Sequence, residues 1–185
     1  FISLEGTSGT QVSLKAEAQR LLASMPARGR ELYELQYGAD GRTLLEAAIE
    51  TADAEKLTEV TRKFFHTRAG YEASILLGHR EMDHGRPLAA AMCFQRVADA
   101  GPASQPFEPQ LSMLLATCWL RAGLPSAAEE RLADLQQRHP NLKIQAAGEE
   151  VSLFAAGSTP LERLQEMTGI RASLEQGIEL QWTLH

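Results

Sequence analysis

The chain has 185 residues, 44 % of them apolar and 23 % charged, with a formal net charge of −6. That is enough apolar material for one compact domain or a short repeat array. A dispersed acidic surface with no Lys/Arg run argues against nucleic acid, 6 % aromatics are too few for base-stacking platforms, and no apolar run approaches the roughly 18 residues of a membrane helix.

The chain begins at Phe1 rather than Met, so Phe1 to Leu4 reads as the remnant of an element that starts upstream. Gly6 to Thr10 is a loop by composition. Ser13 reads as an N-cap, with Glu17 in the first turn and Leu14, Ala18, Leu21 and Leu22 as the apolar stripe of a helix to about Met25. Pro26 opens a second helix carrying Leu32, Tyr33 and Leu35. Gly38 and Gly41 favour a kink or break before a further helix marked by Leu44, Leu45, Ala48 and Ile49. Ala52-Asp53 is a turn, and the returning helix carries Leu57, Val60, Phe64 and Phe65. This pair has the lengths of a repeat without its small-residue landmarks, and reads as a degenerate unit.

Four helices are then predicted over 69–84, 87–100, 108–122 and 125–138. Ser74, Leu77-Gly78 and Glu81 lead to Ala90, Phe94 and Pro102; Leu115-Ala116 and Trp119 lead to Ala128, Leu132 and Pro140. Gly85 and Gly123, Ala90 and Ala128, and Pro102 and Pro140 are each 38 residues apart. These landmarks resemble the tetratricopeptide signature, with Ser74 and Glu81 standing where its large aromatics usually are. Small side chains at the crossing let a helix pair close, so Gly78 is expected to face Ala90, and Ala116 to face Ala128. Gly85 and Gly123 supply the positive φ that ends the first helix of each pair, and Pro87 and Pro125 open the second.

After Pro140 the pattern alternates at Leu142 to Gln145 and again at Glu150 to Leu153, with Ala147-Gly148 between, which predicts a β-hairpin. Thr159-Pro160 caps a last helix with Leu161, Leu164 and Met167 inward, stopped by Gly169. The predicted fold is all-α: a tetratricopeptide-like superhelix of antiparallel helix pairs with a small β-hairpin near the C-terminus. Helical repeats occupy 1–140, best marked over 70–102 and 108–140. Hairpin and capping helix occupy 141–169, and 170–185 is a linker toward a downstream domain.

Chemistry-bearing patterns are sparse. Cys93 and Cys118 lie on predicted helices among apolar neighbours and read as buried thiols. His79 and His84 are five apart, not four, so only His79 with Asp83 has the spacing of a weak surface metal pair; solvated helix residues are the simpler reading. His66-Thr67 falls at a helix end, where a cation near the carbonyls would be favourable. There is no G-x-S-x-G elbow, no phosphate loop and no dinucleotide fingerprint. No catalytic, cofactor-binding or metal-binding residue is expected, and the region is not read as an enzyme.

One functional surface is expected. In helical-repeat proteins the first helix of each pair lines a concave face. Here helix 69–84 would offer Glu72, Ile75, His79, Met82 and Asp83, and helix 108–122 would offer Gln110, Met113, Thr117, Leu120 and Arg121. Their mixed character suits a protein or peptide partner. The alternative is that another part of the same polypeptide covers this face.

Three helical stretches and the C-terminal end carry a narrower resemblance. Glu31 to Gly38, Arg62 to Ala73 and Gly85 to Ala91 resemble the N-terminal helical part of PQQ-like β-propeller repeat proteins of planctomycete bacteria, and Gln181 to His185 resembles the linker entering the first propeller blade in that group. The resemblance implies a propeller beyond His185, a cell-envelope or periplasmic setting, and a scaffolding role. Two alternatives stand beside that role: an accessory domain of an exported quinoprotein-type redox enzyme, or a free-standing peptide-binding adaptor. Blade motifs are absent from these residues, so no quinone ligand is carried onto any of them.

Overall fold

The computed structural model describes residues 2–3, 11–12, 17, 20–22, 24–146, 149–155 and 157–168. The expected helix from Ser13, the turn at Ala147-Gly148, the stop at Gly169 and the linker over 170–185 lie largely or wholly outside them. The fold is all-α with a small antiparallel hairpin near its C-terminal end. The chain forms two compact units, Phe1–Arg80 with Cys93–Pro106, and Glu81–Met92 with Phe107–His185.

In the first unit a two-residue ladder, β1 (Ile2–Ser3) with β2 (Gln11–Val12), pairs Ile2 with Val12. Of the stretch Phe1 to Leu4, Ile2 and Ser3 thus form one side of a short antiparallel pair. Helix α1 (Ala27–Glu50) runs unbroken through both glycines that were expected to interrupt it. The reason is close packing. Gly38 and Gly41 are buried, and a Cβ on Gly41 would stand 3.2 Å from Phe64 Cβ and from Thr67 Oγ1. The glycine there admits a neighbour and does not end a helix.

Ala52, at φ 50°, makes the predicted turn, and Asp53 caps α2 (Ala54–Lys63) by accepting from the Glu55 and Lys56 amides at 2.9 and 3.2 Å. Glu55 in the first turn and Arg62 and Lys63 in the last complement the helix dipole. Leu45 and Ala48 of α1, Leu57 and Val60 of α2, and Ala69 and Ala73 of α3 (Arg68–Asp83) form this unit's core. Thr67, fully buried, caps α3: its hydroxyl accepts from the Gly70 amide at 3.2 Å and donates to the Phe64 carbonyl at 2.7 Å.

Helix α4 (Pro87–Ala98) follows a glycine cap, and α5 (Gln110–Arg121) and α6 (Pro125–Arg138) repeat the arrangement. Gly85 has φ +69° and Gly123 φ +75°. The Gly85 amide donates to the Met82 carbonyl and the Arg86 amide to the Glu81 carbonyl, both at 2.9 Å; Gly123 to Leu120 and Leu124 to Trp119 repeat the pair at 3.1 and 2.9 Å. Both ends are the same Schellman cap, 38 residues apart.

Ala90, Phe94, Ala116 and Ala128 are fully buried and Leu132 nearly so. Ala116 and Ala128 share one core cluster, as expected for a crossing. What lies nearest over Gly78 is the ring of Phe94. Phe94 sits one turn beyond Ala90 on the same stripe, and its bulk fills the space that the missing Cβ leaves.

Strands β3 (Lys143–Ala146) and β4 (Glu149–Ser152) pair antiparallel with Ile144 opposite Val151. Helix α7 (Pro160–Thr168) starts at a capping box, in which Thr159 Oγ1 accepts from the Glu162 amide at 3.1 Å and Glu162 accepts from the Thr159 amide at 2.7 Å. Leu153 and Leu164 join Leu120, Leu132 and Leu135 in the second unit's core. Met167, expected inward, is exposed.

Candidate partner-binding surface

The ten residues expected on the concave faces divide by environment. Among those of α3 in the first unit, Ile75 is half-buried and His79 is exposed, its ring edge-on to Phe94 at 5.6 Å. Glu72 is taken up within the unit. Arg42 Nη1 approaches its carboxylate at 2.7 Å and Arg68 Nε at 2.9 Å. The Arg42 guanidinium holds the Glu72 carboxyl below the usual carboxylate range, against a partial burial that opposes it, and Arg68 adds to the effect. That carboxylate organises its own unit.

In the second unit Asp83, Gln110 and Arg121 are exposed, and Met82, Met113 and Thr117 are half-buried. The Met82 thioether rests 3.2 Å from the Cys118 thiol, and Met113 packs on the core cluster. Leu120 corrects the expected set. It is only 2 % exposed because it follows Ala116 by four residues and shares its inward face. It is a core residue that α6 covers.

Both cysteines carry thiols and not a disulfide, Cys118 buried and Cys93 half-buried. Among the described residues no group of three or more His, Cys, Asp or Glu has the arrangement to hold a metal ion. Among them too, no helix is long and apolar enough to cross a membrane. His66 is not the helix-end cation its position suggested. It is half-buried beside Phe65 and Tyr33, and burial, with the positive charge of Arg96, pushes its pKa below the ordinary histidine value.

The sequence reading missed a groove in the second unit. Pro87, Leu88 and Met92 of α4 and Ala122 and Leu124 of the α5–α6 turn enclose about 640 Å³ beside Arg86. Leu88, Met92 and Leu124 are 52 %, 68 % and 44 % exposed, unusual for residues of their size. Their signal was available: Leu88 and Met92 lie four apart and out of phase with the buried Ala90 and Phe94. Arg86 at the rim is bound to the Glu81 carboxylate at 2.5 Å. The lining has no nucleophile and no acid–base pair; it can receive an apolar side chain.

No family model matches the chain, and neither a curated protein nor a solved structure matches it.

Proposed function

We propose that this chain is a non-catalytic helical scaffold that binds a protein or peptide. On its resemblance, it is the N-terminal helical part of a larger PQQ-like β-propeller protein of the cell envelope. The observation that supports this reading is the recurrence of one helix-turn-helix design. Two identical glycine caps 38 residues apart are each followed by a proline that opens the next helix and a buried alanine three residues on. Recurrence of this kind builds extended surface, not a catalytic constellation. His79 on α3, Gln110 and Arg121 on α5, and the apolar groove lined by Leu88, Met92 and Leu124 are the exposed features a partner would meet. Mixed polar and apolar surface of this type suits an extended segment or an amphipathic helix.

The test begins with the whole reading frame. Propeller blades downstream of His185 without quinone ligands support the scaffold; blades with them make the region an accessory domain of a redox enzyme. Binding of the separately produced propeller, or of peptides derived from a co-purifying protein, is then titrated against Met92→Glu and Arg121→Glu. Weakening by either substitution, with the thermal melt unchanged, supports the reading. Binding that ignores both, or no binding at all, removes these surfaces from consideration.

A further inference from the structure

Helix α1 buries only Gly38, Gly41, Leu45 and Ala48, all toward its C-terminal half. Its opposite side is unusual. Leu32 is 59 % and Leu35 81 % exposed, one turn apart, and Ala39 is exposed one turn further on. A helix that ends a packed stack normally turns a polar face outward. This one turns leucines outward.

The stripe continues at helical spacing in both directions, through Arg28 on the N-terminal side and through Thr43, Glu46 and Glu50 on the C-terminal side, all exposed. Steps of three and four residues keep these positions on one face. About Ala39 the stripe is symmetric in position. Leu35 and Thr43 stand four residues either side, Leu32 and Glu46 seven, and Arg28 and Glu50 eleven. In chemistry it is complementary, with cation and leucines on one arm and carboxylates on the other.

We propose that this face docks a second copy of the chain, α1 against α1 antiparallel, with Ala39 at the two-fold axis. A two-fold contact requires that each position meet its mirror position on the other copy. Ala39 meeting the partner's Ala39 lets the two backbones approach at the crossing. Leu35 then lies over the methyl group of the partner's Thr43. Leu32 covers the aliphatic stem of the partner's Glu46, and Arg28 reaches the partner's Glu50. Antiparallel pairing also sets each helix's positive end beside the other's negative end. A parallel pairing would instead place Arg28 against the partner's Arg28 and Glu50 against the partner's Glu50. The face shares no residue with the surfaces assigned to a protein or peptide partner above, and does not depend on that reading.

The experiment is sedimentation velocity on the full chain across a concentration series up to roughly 100 μM, a range that a modest helix-pair contact reaches. A reversible dimer is expected, abolished by Leu35→Glu, a substitution at a site too exposed to disturb folding. Arg28→Glu should weaken the dimer roughly 3- to 30-fold, because one change per chain removes both symmetric pairs. Arg28→Glu combined with Glu50→Arg should restore it to near the parent value. A chain that stays monomeric overturns the proposal and assigns the face to another segment of the chain or a different partner. A dimer indifferent to Leu35→Glu, or one that the exchanged charges fail to restore, overturns it equally.

Discussion

The ring of Phe94 lies over the bare Cα of Gly78, so closely that a Cβ at position 78 would fall within it. Both residues are buried in the first unit, and the absent side chain of one makes room for the large side chain of the other. Gly78→Ala is expected to lower stability by about 1–3 kcal/mol through overpacking, and Gly78→Leu by more. Phe94→Leu removes the obstructing ring and should reduce the penalty of Gly78→Ala. Urea unfolding of the two single variants and the double would show this as a coupling well above 0.5 kcal/mol. Strict additivity would mean that ring and glycine do not meet.

Glycine at 70 is constrained more severely. There an added Cβ would fall on the Phe64 carbonyl oxygen and beside Phe65 Cα, which are backbone and cannot rotate away. At Gly85 the same Cβ would meet nothing within 4 Å, and only its φ of +69° disfavours another residue. Gly70→Ala should therefore cost more than about 3 kcal/mol, and Gly85→Ala about 1–2 kcal/mol. Thermal melts of the two variants, measured side by side, check the order. The reverse order would show that the α2–α3 turn adapts more readily than the cap does.

How far the sequence carried this fold depended on the kind of signal. The Gly85 and Gly123 caps, the prolines after them and the Thr159 capping box are local, so the helix pairs and α7 could be read directly. Gly41 could not be placed, because what decides its role is Phe64, distant in the chain and close in space; over Gly38 lies the side chain of Glu34, one turn earlier on the same helix. Leu120 was assigned outward from its spacing to Met113 and Thr117, yet its spacing to Ala116 puts it inward; spacing alone does not say which stripe another helix covers. Leu35 carried no signal either, since an exposed and a buried leucine read alike.

Glu108 anchors the start of α5. Its side chain is only 4 % exposed, and it accepts from the Ser112 hydroxyl at 2.7 Å and from Arg131 at 3.3 Å, with Arg138 at 3.5 Å. Both arginines keep some contact with water, at 21 % and 32 % exposure, so the penalty for stranding them is reduced. Glu108→Ala is expected to cost about 1–3 kcal/mol, and Glu108→Gln less, because the amide can still accept from Ser112. Denaturant midpoints at unchanged slope measure both. Equal losses in the two variants would show that the hydrogen bond an amide keeps contributes nothing and that the charge accounts for the effect.

His66 makes stability depend on pH. It lies edge-on to Phe65 with ring centres 5.0 Å apart and to Tyr33 at 6.5 Å, and its Nε2 is buried without a hydrogen-bond partner among the described residues. The Arg96 guanidinium stands 3.8 Å over the Phe65 ring. Burial, and then the charge of Arg96, lower the folded-state pKa below the ordinary 6.5. As pH falls through about 6.5 the unfolded chain takes up the proton first, so folding loses stability from there down to the folded-state value. Above that window the neutral imidazole's contribution is fully present. Carboxylates with ordinary or lowered pKa titrate mostly below it, so a decline between pH 7 and 5.5 reports chiefly on histidine. In His66→Gln this decline should flatten, while stability at pH 8 changes little. If denaturant titrations at half-unit steps give both proteins the same slope, His66 is hydrated when the protein is folded and its burial has no energetic consequence.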